Sequence, residues 1–269
     1  MALDINTKLI KELRDATGIS VMQCKNALTE AGGDMKKALA ILKKTSSDIA
    51  LKKAGRDAKD GRVGIKSIGN KSILMGLHCE TDFVSRNEDF VNLLTTLLDM
   101  AWKQGVDKMS AKGGPASGWN EQTKDLIDAV IQKTGEKIEL GEIYEISGEV
   151  LGNYVHNNKI AVVVSLEGGN TELARDIAMH ITALRPEYLT PDDITDEARS
   201  MMMEVFGKEV ANIDKPKDIK KKILDGKINT YFKEKTLLKQ AFIKNPNETV
   251  GKLLEKNKAS IKEVKRYTI

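Results

Sequence analysis

Two cysteines, Cys24 and Cys79, are all that this chain of 269 residues carries. They are too few to staple a fold, and no C-x-x-C spacing suggests a metal, so a reduced compartment is expected. No uncharged apolar run reaches the roughly 20 residues that span a bilayer, and no membrane segment is expected. The opening stretch MALDINTKLIKELR has no apolar core and carries acids early, which disfavours a secretory signal and an acid-poor transit peptide. Enzyme signatures are missing as well. There is no G-x-x-x-x-G-K-[ST] phosphate loop, no G-x-G-x-x-G, no G-x-S-x-G and no H-E-x-x-H. The three histidines, His78, His156 and His180, lie far apart with no ligand spacing. No metal, no cofactor and no catalytic residue is therefore assigned. Aromatics make up only 4% of the chain, which makes each one worth placing.

What is present is charge and helical periodicity. Charged residues are 30% and apolar residues 41%, enough for a real core across about two domains. The net charge of +4 is mild for a dedicated nucleic-acid binder. Ile5, Leu9, Ile10 and Leu13 recur at helical spacing up to Thr17-Gly18. Ser20 with Gln23 forms a capping box for a second helix with a stripe of Val21, Cys24, Leu28 and Ala31. Gly32-Gly33 stop it, and Asp34 caps a third helix carrying Met35, Ala38, Leu39 and Leu42. Residues 45–60 are charged and poor in large apolar groups, and read as a linker that could be partly helical.

The period then changes to two. GRVGIKSIGNKSILMGLH predicts a hairpin turning at Gly69-Asn70, and YEISGEVLGNYVHNNKIAVVVSLEGG predicts a second one turning at Asn157-Asn158. Each is followed by an amphipathic helix, one carrying Phe90, Leu93, Leu94, Leu97 and Leu98, the other Leu173, Ile177, Ile181 and Leu184. Val150 and Asn158-Lys159 echo Val63 and Asn70-Lys71, a faint sign of a duplicated unit. KGGPASGWN reads as a loop, and EQTKDLIDAVIQKTG as a helix ending at Gly135. From Thr190-Pro191 the chain turns helical, with two helices over about 191–212 and 216–234. Met201, Met202, Val205, Val210 and Ile223 are available for the seam of an antiparallel pair. A helix and a last strand close the tail. The division read from the residues is a helical head, a mixed α/β core and a helical projection inserted in the second half, an α+β chain.

Two stretches are candidates for function. Residues 215–239 hold nine lysines against three acids, but no arginine. They are either a solvated helix face, with lysine stems covering an apolar seam, or a phosphate-binding surface. The other is HCETDFVSRNEDF, where an acid and an aromatic sit between a strand and a helix. Phe83 or Val84 could staple the first helical turn, or Phe83 could be held out for another molecule.

KELRDATGISVMQCKNALTEAGGDMKKA and HCETDFVSRNEDF closely resemble the two signature blocks of the bacterial elongation factor Ts family. GNYVHNNKIAVVV, IAMHITALRPEYLTPDDI and NPNETVGKLL resemble further blocks in the same order, so the likeness spans nearly the whole chain. The resemblance implies a cytoplasmic guanine-nucleotide exchange factor that binds elongation factor Tu–GDP and promotes GDP release and GTP exchange, without acid or base catalysis. It implies a ubiquitin-associated-like head over 1–46, a linker over 47–60 and a first core subdomain over 61–140. A related second subdomain with a C-terminal module follows over 141–190 and 236–269, with an inserted antiparallel coiled-coil hairpin over 191–235. Thr81, Asp82, Phe83 and Val84 would disturb the partner's magnesium and phosphate site. Lys25, Gly135 and His156 match other contact positions. The hairpin would serve self-association, as in some members, and no direct nucleic-acid binding is expected. Arg175-Asp176 stand where the family often has Lys-His, and the hairpin diverges.

Overall fold

Three short amphipathic helices with strong caps begin the chain. The computed structural model describes residues 6–109 and 119–269; Ile5 and residues 112–118 of the expected loop lie outside the described residues. Helix α1 (Thr7–Thr17) ends at Gly18, which takes the left-handed conformation at φ 70° and returns its N–H to Arg14. Helix α2 (Val21–Glu30) is capped by Ser20, whose hydroxyl accepts the Gln23 amide. The other half of the expected box is diverted: the Gln23 side-chain oxygen accepts from Gln132 at 3.2 Å. Helix α3 (Met35–Lys53) starts under Asp34, which accepts from the amides of Lys36 and Lys37.

Ile10, Leu13, Ile19, Cys24, Leu28, Ala38 and Leu42 share the core of this head. Two expected core positions face water. Val21 is 50% exposed, because the stripe of α2 begins one turn later, at Cys24, with Ala27 and Ile19 filling in; Leu39 is 41% exposed, since α3 turns Ala38 and Leu42 inward instead. Helix α3 also runs through residues 47–53 of the expected linker. Packing rather than pattern holds it there: the Ser47 hydroxyl donates to Asp128 at 2.9 Å, Lys43 pairs with Asp125 at 2.6 Å, and Ile49 and Ala50 join the next core.

That core lies over a three-stranded sheet whose strands, Asp60–Ile68 (β1), Lys71–Cys79 (β2) and Ile138–Ser147 (β3), are ordered β1-β2-β3. Strands β1 and β2 form the expected hairpin, with Ile68 opposite Lys71 and Gly69 at φ 60° in a two-residue turn. Ile73, Met75, Leu77 and Cys79 of β2 alternate toward α5 (Glu88–Gln104) and its Phe90, Leu93, Leu94 and Leu97. Between β2 and α5 stands the single-turn helix α4 (Asp82–Arg86). Helix α6 (Glu121–Thr134) ends at Gly135, φ 75°, and leads into β3 (Ile138–Ser147). Sequence reading gave the end of β3 to the second hairpin. The strand instead closes the first sheet and ends at Ser147, just before Gly148. On the far face of β2, Tyr267 lies over Gly76 and Gly141, where any Cβ would overlap its ring.

By contact density the chain divides into two units. The first holds everything described to Glu145 plus Val155–Ala161 and Tyr267–Ile269; the second holds Ile146–Tyr154 and Val162–Arg266. The second sheet is ordered β4-β5-β8, from β4 (Val150–His156), β5 (Ile160–Glu167) and β8 (Ser260–Thr268). Asn157 and Asn158, both at positive φ, make the turn expected of an Asn-Asn pair. Helix α7 (Thr171–Leu184) lays Leu173, Ala174, Ile177 and Ile181 on Val162, Val164 and Leu166. Leu184, expected on that face, is 45% exposed. A short pair of strands, β6 (Ala241–Phe242) and β7 (Asn245–Thr249), and helix α10 (Val250–Lys256) complete this core.

Helices α8 (Asp196–Ala211) and α9 (Lys217–Lys235) run antiparallel, as their contacts step in opposite directions: Ala211 to Lys220, Glu209 to Lys227, Arg199 to Phe232. Thr190 and Asp193 form a reciprocal capping box around a short 3₁₀ turn at Pro191–Asp193, and Thr195 caps α8 itself. The seam is Ile194, Met202, Phe206, Leu224, Ile228 and Phe232. Met201 and Val205, expected in it, are 63% and 45% exposed.

Candidate functional site

Strand β2 runs out at Cys79, and the next five residues decide what the molecule presents. Cys79 is buried, its thiol donates to the Thr81 carbonyl at 3.2 Å, and burial pushes its pKa up to about 12. It stays protonated and acts as packing. Thr81 caps α4 by accepting the Val84 amide, and the Ser85 hydroxyl donates to the Asp82 carbonyl at 3.0 Å. Successive helical residues point about 100° apart, so one turn cannot bury both Phe83 and Val84. Val84 packs on the core of the first sheet. Phe83 is 83% exposed. The residue that packs inward is therefore Val84, and the aromatic stands out in water. Leaving a phenyl ring there forgoes about 1.5–3 kcal/mol of burial. Beside it Asp82 pairs with Arg86 at 2.9 Å.

The base of this turn is held by two acids, each accepting backbone amides from the other's segment. Glu136, set just after Gly135, accepts the amides of Glu80 and Thr81 at 3.1 and 3.0 Å and the Thr81 hydroxyl at 2.6 Å. Glu80 in return accepts the Lys137 amide at 2.7 Å and the Arg56 guanidinium at 3.2 Å. These bonds hold the Glu80 carboxyl below its usual range, the Lys137 amide contributing most. Opposite Cys79 across the hairpin is Asp60. Its carboxylate takes Lys159 at 2.6 Å and the Gly61 amide at 2.7 Å. Burial pulls the Asp60 pKa upward, but the bonds from Lys159 and the Gly61 amide outweigh it and leave the group below the usual carboxylate range.

Thr81–Val84 and Gly135 thus meet at one end of the first sheet. The turn after His156 reaches the same strand end through Lys159, and the Asn158 carbonyl accepts from Val63 at 2.8 Å. His156 itself is exposed, its ring 3.2 Å from the Asn157 amide. Lys25 is exposed on α2. That helix borders the end of α6 through Gln23 and Gln132, and Lys133 there pairs with Asp89 at 2.7 Å. Sequence reading missed Glu136, Glu80 and Asp60. The bonds from Glu136 to residues 80 and 81, from Glu80 to Lys137 and from Asp60 to Lys159 each span 55 or more residues and leave no local pattern.

The other histidines are structural. His180 is fully buried and stacks on Phe242. Its Nδ1 accepts from the Ile243 amide, so Nε2 carries the proton and donates to Gln240 at 2.9 Å. His78 shares a 2.8 Å bond with the Tyr267 hydroxyl. Among the described residues no group of three or more His, Cys, Asp or Glu is placed to hold a metal, and no helix is long and apolar enough to cross a membrane.

A family profile described as Elongation factor TS matches residues 80–269. The chain is 40% identical to the elongation factor Ts of Hahella chejuensis over 98% of its own length and 92% of the relative's. It is 35% identical to that of Aeromonas hydrophila over 99% and 91%, and 38% identical to that of a Pseudomonas fluorescens strain over 96% and 88%. The class is thereby fixed as a translation elongation factor. Within that class, the chain belongs to the elongation factor Ts family.

Proposed function

We propose that this protein binds elongation factor Tu carrying GDP and speeds the exchange of GDP for GTP, with the turn at 82–83 as its working tip. The single observation that carries the reading is the solvent-exposed Phe83 on a turn whose neighbours Thr81, Asp82 and Val84 are half-buried and whose base is braced by Glu136. A GTPase holds GDP through its phosphate loop and a magnesium ion. A factor that binds the nucleotide-free form more tightly must weaken nucleotide binding by the same factor. Phe83 enters an apolar pocket that opens when the partner's magnesium site shifts. Asp82 stabilises the shifted form by polar contacts, and no acid or base catalysis is needed. A buried aromatic anchor contributes about 2 kcal/mol or more, on the order of a thirtyfold change in an equilibrium constant.

The rest of the proposal follows the family. Residues 1–46 are a ubiquitin-associated-like head that meets the GTP-binding domain through Lys25. Residues 61–140, and 141–190 with 236–269, are two related subdomains, with Gly135 and His156 as further contacts. Residues 191–235 are a coiled-coil hairpin for self-association, and the protein works in the cytoplasm without direct nucleic-acid contact. In support of the last point, Lys227 and Lys235 of α9 are already paired with Glu209 and Glu187. The test is stopped-flow release of labelled GDP from elongation factor Tu. Phe83→Ala and Asp82→Ala are expected to slow release while circular dichroism stays unchanged. A wild-type release rate in Phe83→Ala would refute the proposal.

A further inference from the structure

We infer that Glu136 is a positioning residue for this exchange: it acts on the partner only through the Phe83 turn, whose binding shape its carboxylate sets in advance. The inference rests on the function proposed above. Glu136 is half-buried behind the turn, with both oxygens engaged by residues 80 and 81. The constraint is passed on through one hydroxyl. Thr81 Oγ1 donates to Glu136 at 2.6 Å and accepts the Val84 amide at 3.4 Å. The group that opens α4 is therefore oriented by a carboxylate 55 residues away in sequence. Glu80 closes the ring by accepting the Lys137 amide, so neither turn can shift without the other.

Helix α4 needs such a device. It has five residues, and a single helical turn has no stability of its own, since nucleation fixes several dihedrals for one hydrogen bond. Its exposed aromatic gains nothing from the position it holds in the free protein. Without the clamp the turn would fray, and the ordering cost would be met on binding instead. Thr81 belongs to the same device, because its hydroxyl donates and accepts within the chain. The tip that touches the partner is then Asp82 and Phe83 alone.

The experiment uses the full chain as wild type, Glu136→Ala, Glu136→Gln, Phe83→Ala and the Glu136→Ala/Phe83→Ala double variant. Deuterium exchange is followed in peptides covering 79–86, and labelled GDP release from elongation factor Tu by stopped flow. Glu136→Ala should speed amide exchange in this segment about tenfold or more, the scale of losing a charged acceptor of several hydrogen bonds. It should also lower the maximal release rate, and Glu136→Gln, which keeps an acceptor oxygen, should recover part of both. In the Phe83→Ala background, Glu136→Ala should cause no further slowing, since residues that act as a unit are not additive. Unchanged protection in Glu136→Ala overturns the inference, and so does equal slowing in both backgrounds. Unchanged release in Phe83→Ala alone would instead refute the proposed function, and the clamp would then stand or fall on the protection data.

Discussion

At the scale of single residues, the turn after β2 inverts the usual worth of its side chains. Phe83 is the larger and Val84 the smaller, yet Val84 is the one packed on the core. Truncating a buried Phe costs about 3–5 kcal/mol. Here Phe83→Ala is expected to change stability by no more than about 0.5 kcal/mol, while Val84→Ala costs about 1–2 kcal/mol. Urea unfolding of the two variants checks the order. His180 gives a pH-dependent counterpart in the second unit. Burial pushes its pKa below the ordinary value, against a smaller upward pull from Gln240. As pH falls through about 6.5 the unfolded chain takes the proton first, so stability is full above that value and declines below it. His78 is shifted the same way by burial. The drop in unfolding free energy between pH 7.5 and 5.5 should therefore be smaller, though not absent, in His180→Gln.

At the scale of elements, the legible parts were those whose cause lies within a few residues. Ser20 and Asp34 announced α2 and α3, Gly18 and Gly135 closed α1 and α6, and Gly69-Asn70 and Asn157-Asn158 fixed both hairpins. The parts that could be read only loosely, or not at all, depend on distant partners. Residues 47–53 are helical because α6 supplies Asp128 and an apolar face, and β3 pairs with β2 rather than with its neighbour in sequence. The site divides the same way. The acid–aromatic pair could be seen at once, whereas Glu136 is tied to it only by the fold. The contact of β2 and β3 with Tyr267 yields a test. Gly141→Ala would drive a methyl into the phenol, and overpacking of that kind costs about 1–3 kcal/mol. Its unfolding midpoint should fall accordingly, while Tyr267→Phe, losing the bond to His78, should cost only about 0.5–1.5 kcal/mol.

At the scale of the whole molecule, the apolar surface left in water matters more than the charge. The net charge is only +4, and on α9 Lys227 and Lys235 face Glu209 and Glu187. Met201 and Val205 lie exposed on α8. Replacing both by Gln should leave stability within about 0.5 kcal/mol and abolish the proposed self-association, as read by sedimentation velocity. Phe83 carries the central claim, that the factor favours the nucleotide-free shape of its partner. Calorimetric titration of wild type and Phe83→Ala into elongation factor Tu, once free of nucleotide and once loaded with GDP and magnesium, tests it most directly. The account predicts that wild type binds the empty form far more tightly and that this gap narrows in the variant. An undiminished gap would contradict it.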